Sequence, residues 1–211
     1  MSGRARVGQN TASGNGGGLY VRGVTGTHDL SMQTGTQFHG NQAVNGGGVF
    51  IQTATAGSIH TQRASNIAGN TATPGAGGGI WIGNTSTETF TTVMGGNLTA
   101  NSAASNGGGY FYNSTTGPVD VTLNDGFIVE NTAGAAGGGM LINGGGTVTV
   151  TNRIFELNTA GQTGGGFYYH NTQDSGSTLT FSGASFQGNR ATISGGGMRL
   201  GAQTAFIDTA L

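Results

Sequence analysis

Three consecutive glycines recur seven times at nearly one period, and this repeat constrains the fold more than any other feature of the chain. The triples stand at Gly16-Gly17-Gly18, Gly46-Gly47-Gly48, Gly77-Gly78-Gly79, Gly107-Gly108-Gly109, Gly137-Gly138-Gly139, Gly164-Gly165-Gly166 and Gly195-Gly196-Gly197, at steps of 30, 31, 30, 30, 27 and 31 residues. Mostly large apolar residues follow each triple, as in Val49-Phe50-Ile51 or Tyr110-Phe111-Tyr112. An Asn precedes each by five to seven residues: Asn10, Asn41, Asn70, Asn101, Asn131, Asn158 and Asn189. Two residues after every one of these Asn stands an Ala, and three before it an apolar residue (Val7, Phe38, Ile67, Leu98, Ile128, Phe155, Phe186). The unit is apolar-x-x-Asn-x-Ala, a short turn, Gly-Gly-Gly, then apolar-x-apolar.

A period near 30 fits helical hairpins, leucine-rich repeats or a β-solenoid. Helical repeats need long 3.6-periodic runs of good helix formers, and here glycine and β-branched residues dominate. Short alternating stretches remain, such as Val119 to Leu123, Thr147 to Thr151 and Thr178 to Phe181, which read as half-buried strands. Three strands of about five residues with three turns fill one coil. The expected fold is therefore all-β: one domain over residues 1–211, a single-stranded parallel β-helix of about seven coils, roughly 35 Å long at one coil per ~4.8 Å. In it the Asn column suits a turn, since Asn tolerates a left-handed backbone. Stacked Asn amides would also bond from coil to coil.

These residues resemble the repeat pair of the chlamydial polymorphic outer membrane proteins and related autotransporter passenger domains, Gly-Gly-apolar with Phe-x-x-Asn. Phe38-His39-Gly40-Asn41, Phe155-Glu156-Leu157-Asn158 and Phe186-Gln187-Gly188-Asn189 carry the second motif strictly. The other units hold Val, Ile or Leu in place of Phe, and a third Gly replaces the family's usual small or apolar residue. The resemblance implies a right-handed β-helix, secreted and placed at the cell surface as an adhesin. The family's signal peptide and C-terminal membrane barrel have no counterpart in these residues.

Composition narrows the function further. Of 211 residues 45 are Gly, and seven Arg against eight Asp plus Glu leave a net charge of −1 without any Lys or Cys. Nucleic-acid binders carry a basic patch, and seven scattered arginines form none. No apolar run reaches the length of a membrane-spanning helix. No cofactor is expected.

Reactive constellations are sparse. The acidic residues fall at unrelated repeat positions, except that Glu130 and Glu156 lie in adjacent coils near one register. They are the only candidates for paired acid–base chemistry on a polysaccharide. His28, His39, His60 and His170 differ in repeat offset, so they do not converge on a metal. The expectation is a non-enzyme.

Two outward columns are candidates for binding. The middle residue after each triple (Tyr20, Phe50, Trp81, Phe111, Leu141, Tyr168, Arg199) should form an exposed aromatic stripe for glycans or protein partners. A second array, Thr89/Thr91, Asp120/Thr122, Thr147/Thr149 and Thr178/Thr180, resembles the Thr-x-Thr face of ice-binding solenoids. The ends carry no polar cap of the kind repeat proteins use. The chain starts and stops part-way through a repeat, and the two fragments add up to one repeat length. A broken coil would then be completed head to tail, with Arg4, Arg6 and Val7 against Phe206, Ile207 and Asp208. Such contact builds open filaments. The rival reading is a segment of a longer adhesin. The expected role is thus an extracellular filament, stalk or adhesin unit whose partner is itself or flanking repeats.

Overall fold

A computed structural model describes residues 4–23, 28–61, 65–172, 177–201 and 205–210, with side chains left undescribed at 28, 58–61 and 205–210. Every element is a short β-strand, and every pairing is parallel between residues about one repeat apart. One rung is typical. Asn97–Thr99 is followed by Ser102–Ala103, Tyr110–Ser114 and Val119–Asn124. Each strand pairs with its counterparts in the rungs before and after. Four parallel sheets result, which we number I to IV in that order. Sheets I, III and IV are seven strands deep and sheet II six. The molecule is a β-solenoid, with six turns separating the first rung from the last.

The rung holds four strands where the sequence pattern predicts three. The Asn corner is the difference: the apolar-x-x segment is a three-residue strand of sheet I, and the segment carrying the Ala is a separate two-residue strand of sheet II. Strands this short carry too few alternations to register as strands by period.

The phase of the chain differs as well. Arg6–Gly8 opens the first rung in sheet I, and Ala205–Ala210 closes the last in sheet IV. The first described strand thus lies in sheet I and the last in sheet IV.

One core runs the length of the solenoid. Sheet I contributes Phe38, Ile67, Leu98, Ile128 and Phe155. Sheet III contributes pairs such as Ile80 with Ile82 and Tyr110 with Tyr112. Sheet IV contributes Val119, Val121 and Leu123. The inward Ala column is buried from Ala43 to Ala160, because the corner between sheets I and II leaves room for a methyl group only.

The glycine triples have three different reasons. The first Gly of each turns the corner with positive φ, for example 61° at Gly107. A Cβ on the third would press on the next rung: at Gly109 it would lie 2.6 Å from the carbonyl oxygen of Gly139 and 3.1 Å from Cγ of Asn131. The second, Gly108, would drive a Cβ into the carbonyls of Gly138 and Thr132. The tight corner thus requires bare backbone at three successive positions.

The residue just before each Asn, and not the Asn itself, takes the left-handed backbone. Gln9, Gly40, Gly69, Ala100, Glu130, Leu157 and Gly188 all have φ between 52° and 62°. Three are Gly, and four bear a side chain that this region disfavours by about 1–2 kcal/mol. Glycine at the exposed positions 100 and 130 removes that cost and gives back part of it as unfolded-chain entropy. Ala100→Gly and Glu130→Gly should each stabilise the protein by about 0.5–1 kcal/mol. Chemical denaturation reads this directly, and a lower midpoint in both variants would contradict it.

Candidate functional site

The Asn column forms a continuous buried ladder. Each side chain donates Nδ2–H to Oδ1 of the Asn in the next rung, from Asn10→Asn41 through Asn158→Asn189, at 2.9–3.0 Å. The same Oδ1 accepts the backbone N–H of the preceding Asn. The other Nδ2 hydrogen turns back to a sheet I carbonyl of the previous rung, as from Asn101 to the oxygen of Ile67. An interior Asn therefore uses both amide hydrogens and accepts two bonds at its oxygen. Asn41 through Asn158 are fully buried, which only complete pairing permits.

The ladder has a direction. The backbone N–H of each Asn and one of its two amide hydrogens point toward the last rung, and the second amide hydrogen points back. The glycine corners follow the same sense: the amides of Gly107 to Tyr110 donate to carbonyls of residues 136–139 in the next rung. At the two faces the groups differ accordingly. Among the described residues nothing donates to Oδ1 of Asn10, and nothing accepts from the backbone N–H of Asn189. The core is only partly covered at both faces, by Val7, Leu19, Val21 and Leu30 at one and by Phe186, Met198 and Leu200 at the other. Arg4 and Arg6 are exposed at the first face. Phe206, Ile207 and Asp208 pair their backbone with Thr178, Leu179 and Thr180, and their side chains lie outside the described residues.

The aromatic column stands on the outer face of sheet III, in register from rung to rung. It is less open than the pattern predicts. Tyr20 is 48% exposed, but Phe50 only 2% and Leu141 5%. Phe50 is sandwiched between Tyr20 at 5.2 Å and Trp81 at 4.3 Å, with rings within 7° of parallel. These rings spend their faces on one another. The stacking breaks after Trp81, where Phe111 is tilted by 53°. Tyr168 stacks on His170 and carries the Arg199 guanidinium over its ring at 5.5 Å.

A second column runs beside the aromatic one, two residues further along each strand: the polar Arg22, Gln52, Asn113, Asn143 and His170, with Gly83 and Gly201. The sequence carried this signal, because outward positions recur at every second residue. Asn143 Nδ2 donates to Asn113 Oδ1 at 2.6 Å.

Other candidates separate. Glu156 sits in sheet I opposite Val129, and Glu130 takes the left-handed position opposite Leu157, so the two carboxylates occupy different registers. His39 and His170 lie on different sheets, and the side chains of His28 and His60 lie outside the described residues. Among the described residues no three His, Cys, Asp or Glu gather where a metal could bind. The Thr array is displaced in one rung. Thr89 precedes the strand Phe90–Met94, whose outward residues are Thr91 and Val93, while Thr92 is buried against the Tyr110 hydroxyl at 2.9 Å. Thr91 donates to Asp120 at 3.1 Å.

Arg153 escaped the sequence reading because a charged side chain is expected in solvent. It is fully buried at the corner between sheets IV and I. It donates to the carbonyls of Met94 (3.2 Å), Gly96 (2.6 Å) and Asp125. Loss of solvent pushes its pKa down to about 9, with the Asp125 charge pulling the other way. It ties together corners of three successive rungs.

These features define a class: a parallel β-solenoid of about 30-residue rungs with an internal Asn ladder. Compared with known proteins, the chain matches no family model, no curated protein and no solved structure.

Proposed function

We propose that the protein is a structural, non-enzymatic solenoid whose copies stack end to end into an extracellular filament, stalk or adhesin segment. The observation that carries this reading is the complementarity of the two ends of the Asn ladder. The backbone N–H and free amide hydrogen of Asn189 meet an open acceptor in Asn10 Oδ1 of a second copy. The amide of that Asn10 then donates to the carbonyl of Phe186, as Asn189 does to Phe155. Each junction repeats the bonds of the interior, and the two open ends of the core cover one another. Bare parallel edges are templates for such pairing, and a head-to-tail contact that does not close grows as a filament. The extracellular setting rests on the resemblance to autotransporter passenger repeats.

The last rung supplies a clean test. A Cβ at Gly197 would meet nothing closer than 3.5 Å, whereas its counterpart Gly109 is pressed by the rung above. Gly197→Ala should therefore leave the single protein as stable as wild type and abolish stacking, since a docked rung would bring Gly18 onto the new methyl. Urea denaturation reads the first, and negative-stain microscopy with sedimentation at rising concentration reads the second. Wild-type particles that stay single, or Gly197→Ala filaments as long as wild type, would overturn the proposal.

A further inference from the structure

The aromatic column is interrupted at Leu141, and a small groove lies beside the interruption. Leu141 stands where the column would otherwise carry a ring, between Phe111 in the rung before and Tyr168 in the rung after. Those two lie two rungs apart, about 9.6 Å, with the shorter Leu141 side chain, itself 5% exposed, between them. A groove of about 190 Å³ occupies this place, lined by Phe111, Leu141 and Tyr168 with Asn106, Asn143 and His170 along its sides. Drug-sized ligand pockets run from about 300 Å³ upward, so the groove suits a single ring.

The polar groups say which kind of ring. Asn106 spends its Oδ1 on the backbone N–H of Ala136 at 3.1 Å, which leaves its amide hydrogens to donate. Asn143 spends its amide on Asn113, and its Oδ1 is buried with no hydrogen-bond partner. An apolar floor with a donor on one side and an unsatisfied acceptor on the other matches a ring with a hydrocarbon face and hydroxyls at its edge. None of the lining residues is an acid, a lysine or an arginine, so the ring is uncharged. We infer that the groove between Phe111 and Tyr168 over Leu141 is a subsite for one neutral sugar ring of a glycan chain. A phenyl side chain would leave the Asn143 acceptor orphaned, and an acidic sugar would find no lysine or arginine among the lining residues.

The site is independent of the end faces, so failure of stacking leaves it standing. The test is saturation-transfer NMR and calorimetry with methyl glucoside, methyl galactoside, methyl mannoside, N-acetylglucosamine, glucuronic acid and the amides of acetylated Tyr and Trp. At least one neutral sugar should bind with a dissociation constant on the order of 1–10 mM, a fair yield for about a dozen heavy atoms. Leu141→Phe fills the gap and should weaken that binding at least tenfold with the circular dichroism spectrum unchanged. His170→Gln should weaken it severalfold, and Tyr20→Ala, four rungs away, should leave it intact. No binding by any neutral sugar, binding indifferent to Leu141→Phe, or tighter binding of glucuronic acid or the aromatic amides would overturn the assignment.

Discussion

Replacing Asn101 by Ala should lower the stability of the solenoid by about 3–6 kcal/mol, while the same change at Asn10 costs about 1 kcal/mol or less. The difference comes from what each removal leaves behind. Without the Asn101 amide, the carbonyl of Ile67 loses its donor, and both the backbone N–H and the side chain of Asn70 lose their acceptor. Three buried polar groups are then orphaned, each at about 1–3 kcal/mol, and the interior offers no route for water to replace them. Asn10 stands at the open end. Its side chain gives one bond to Asn41, whose Oδ1 still accepts the backbone N–H of residue 10.

Asn101→Asp sharpens the case. A carboxylate keeps the shape but cannot donate, so it faces the oxygens of Ile67 and Asn131 with charge added. Burial and these acceptors raise its pKa in the folded state above the unfolded value of about 3.9. A raised carboxyl pKa gives stability that is fully present below the unfolded value and lost as pH rises from there through the folded value. Asn101→Asp should therefore be closest to wild type near pH 3.5 and fall well below it at pH 7. Urea denaturation of the three variants at both pH values provides the measurement. Equal losses at Asn10 and Asn101 would mean that the ladder is ornament and the apolar core alone sets stability.

How much of this was legible in sequence follows from what repetition can and cannot encode. Columns are easy to read, because seven copies of one position average out local noise. The Phe/Ile/Leu, Ala and Asn columns all stand out on the repeat alone, while the burial of the Asn column does not. Conformation within a rung is harder. The left-handed residue was expected at Asn, yet Gly40, Gly69 and Gly188 pointed to the preceding position, where four other side chains blurred the signal. Contacts between neighbours in a column were not legible. Phe50 is outward by parity and buried by stacking, and no parity rule contains the ring-to-ring contact that covers it. Single departures from the repeat were the least visible. Leu141 read as one more apolar residue in a stripe, and its meaning depends on the two rings it separates. Arg153 matters through carbonyls 57 and 59 residues away.

The third glycine of an interior triple should be as intolerant as the Asn ladder. Gly109→Ala places a methyl carbon 2.6 Å from the Gly139 carbonyl oxygen and 3.1 Å from the Asn131 side chain. Both neighbours are fixed: the oxygen accepts the N–H groups of Gly109 and Tyr110, and the amide belongs to the ladder. Relief requires the two rungs to part by several tenths of an ångström. That lengthens the corner bonds and opens the core between Tyr110 and Met140. Overpacking costs about 1–3 kcal/mol where side chains can yield. Here backbone must yield and hydrogen bonds weaken with it, so about 3–5 kcal/mol is expected. A solenoid holds together through nearest-neighbour interfaces, so a weakened interface at rung four should also uncouple the halves. Denaturation of Gly109→Ala should broaden or split, and exchange of backbone amides in residues 107–112 should accelerate more than in residues 37–43. Gly197→Ala, with the same chemistry and no rung above it, serves as the control. A Gly109→Ala protein that melts cooperatively within about 1 kcal/mol of wild type would show that the rungs slide apart at little cost, and the requirement for bare backbone at this corner would fall.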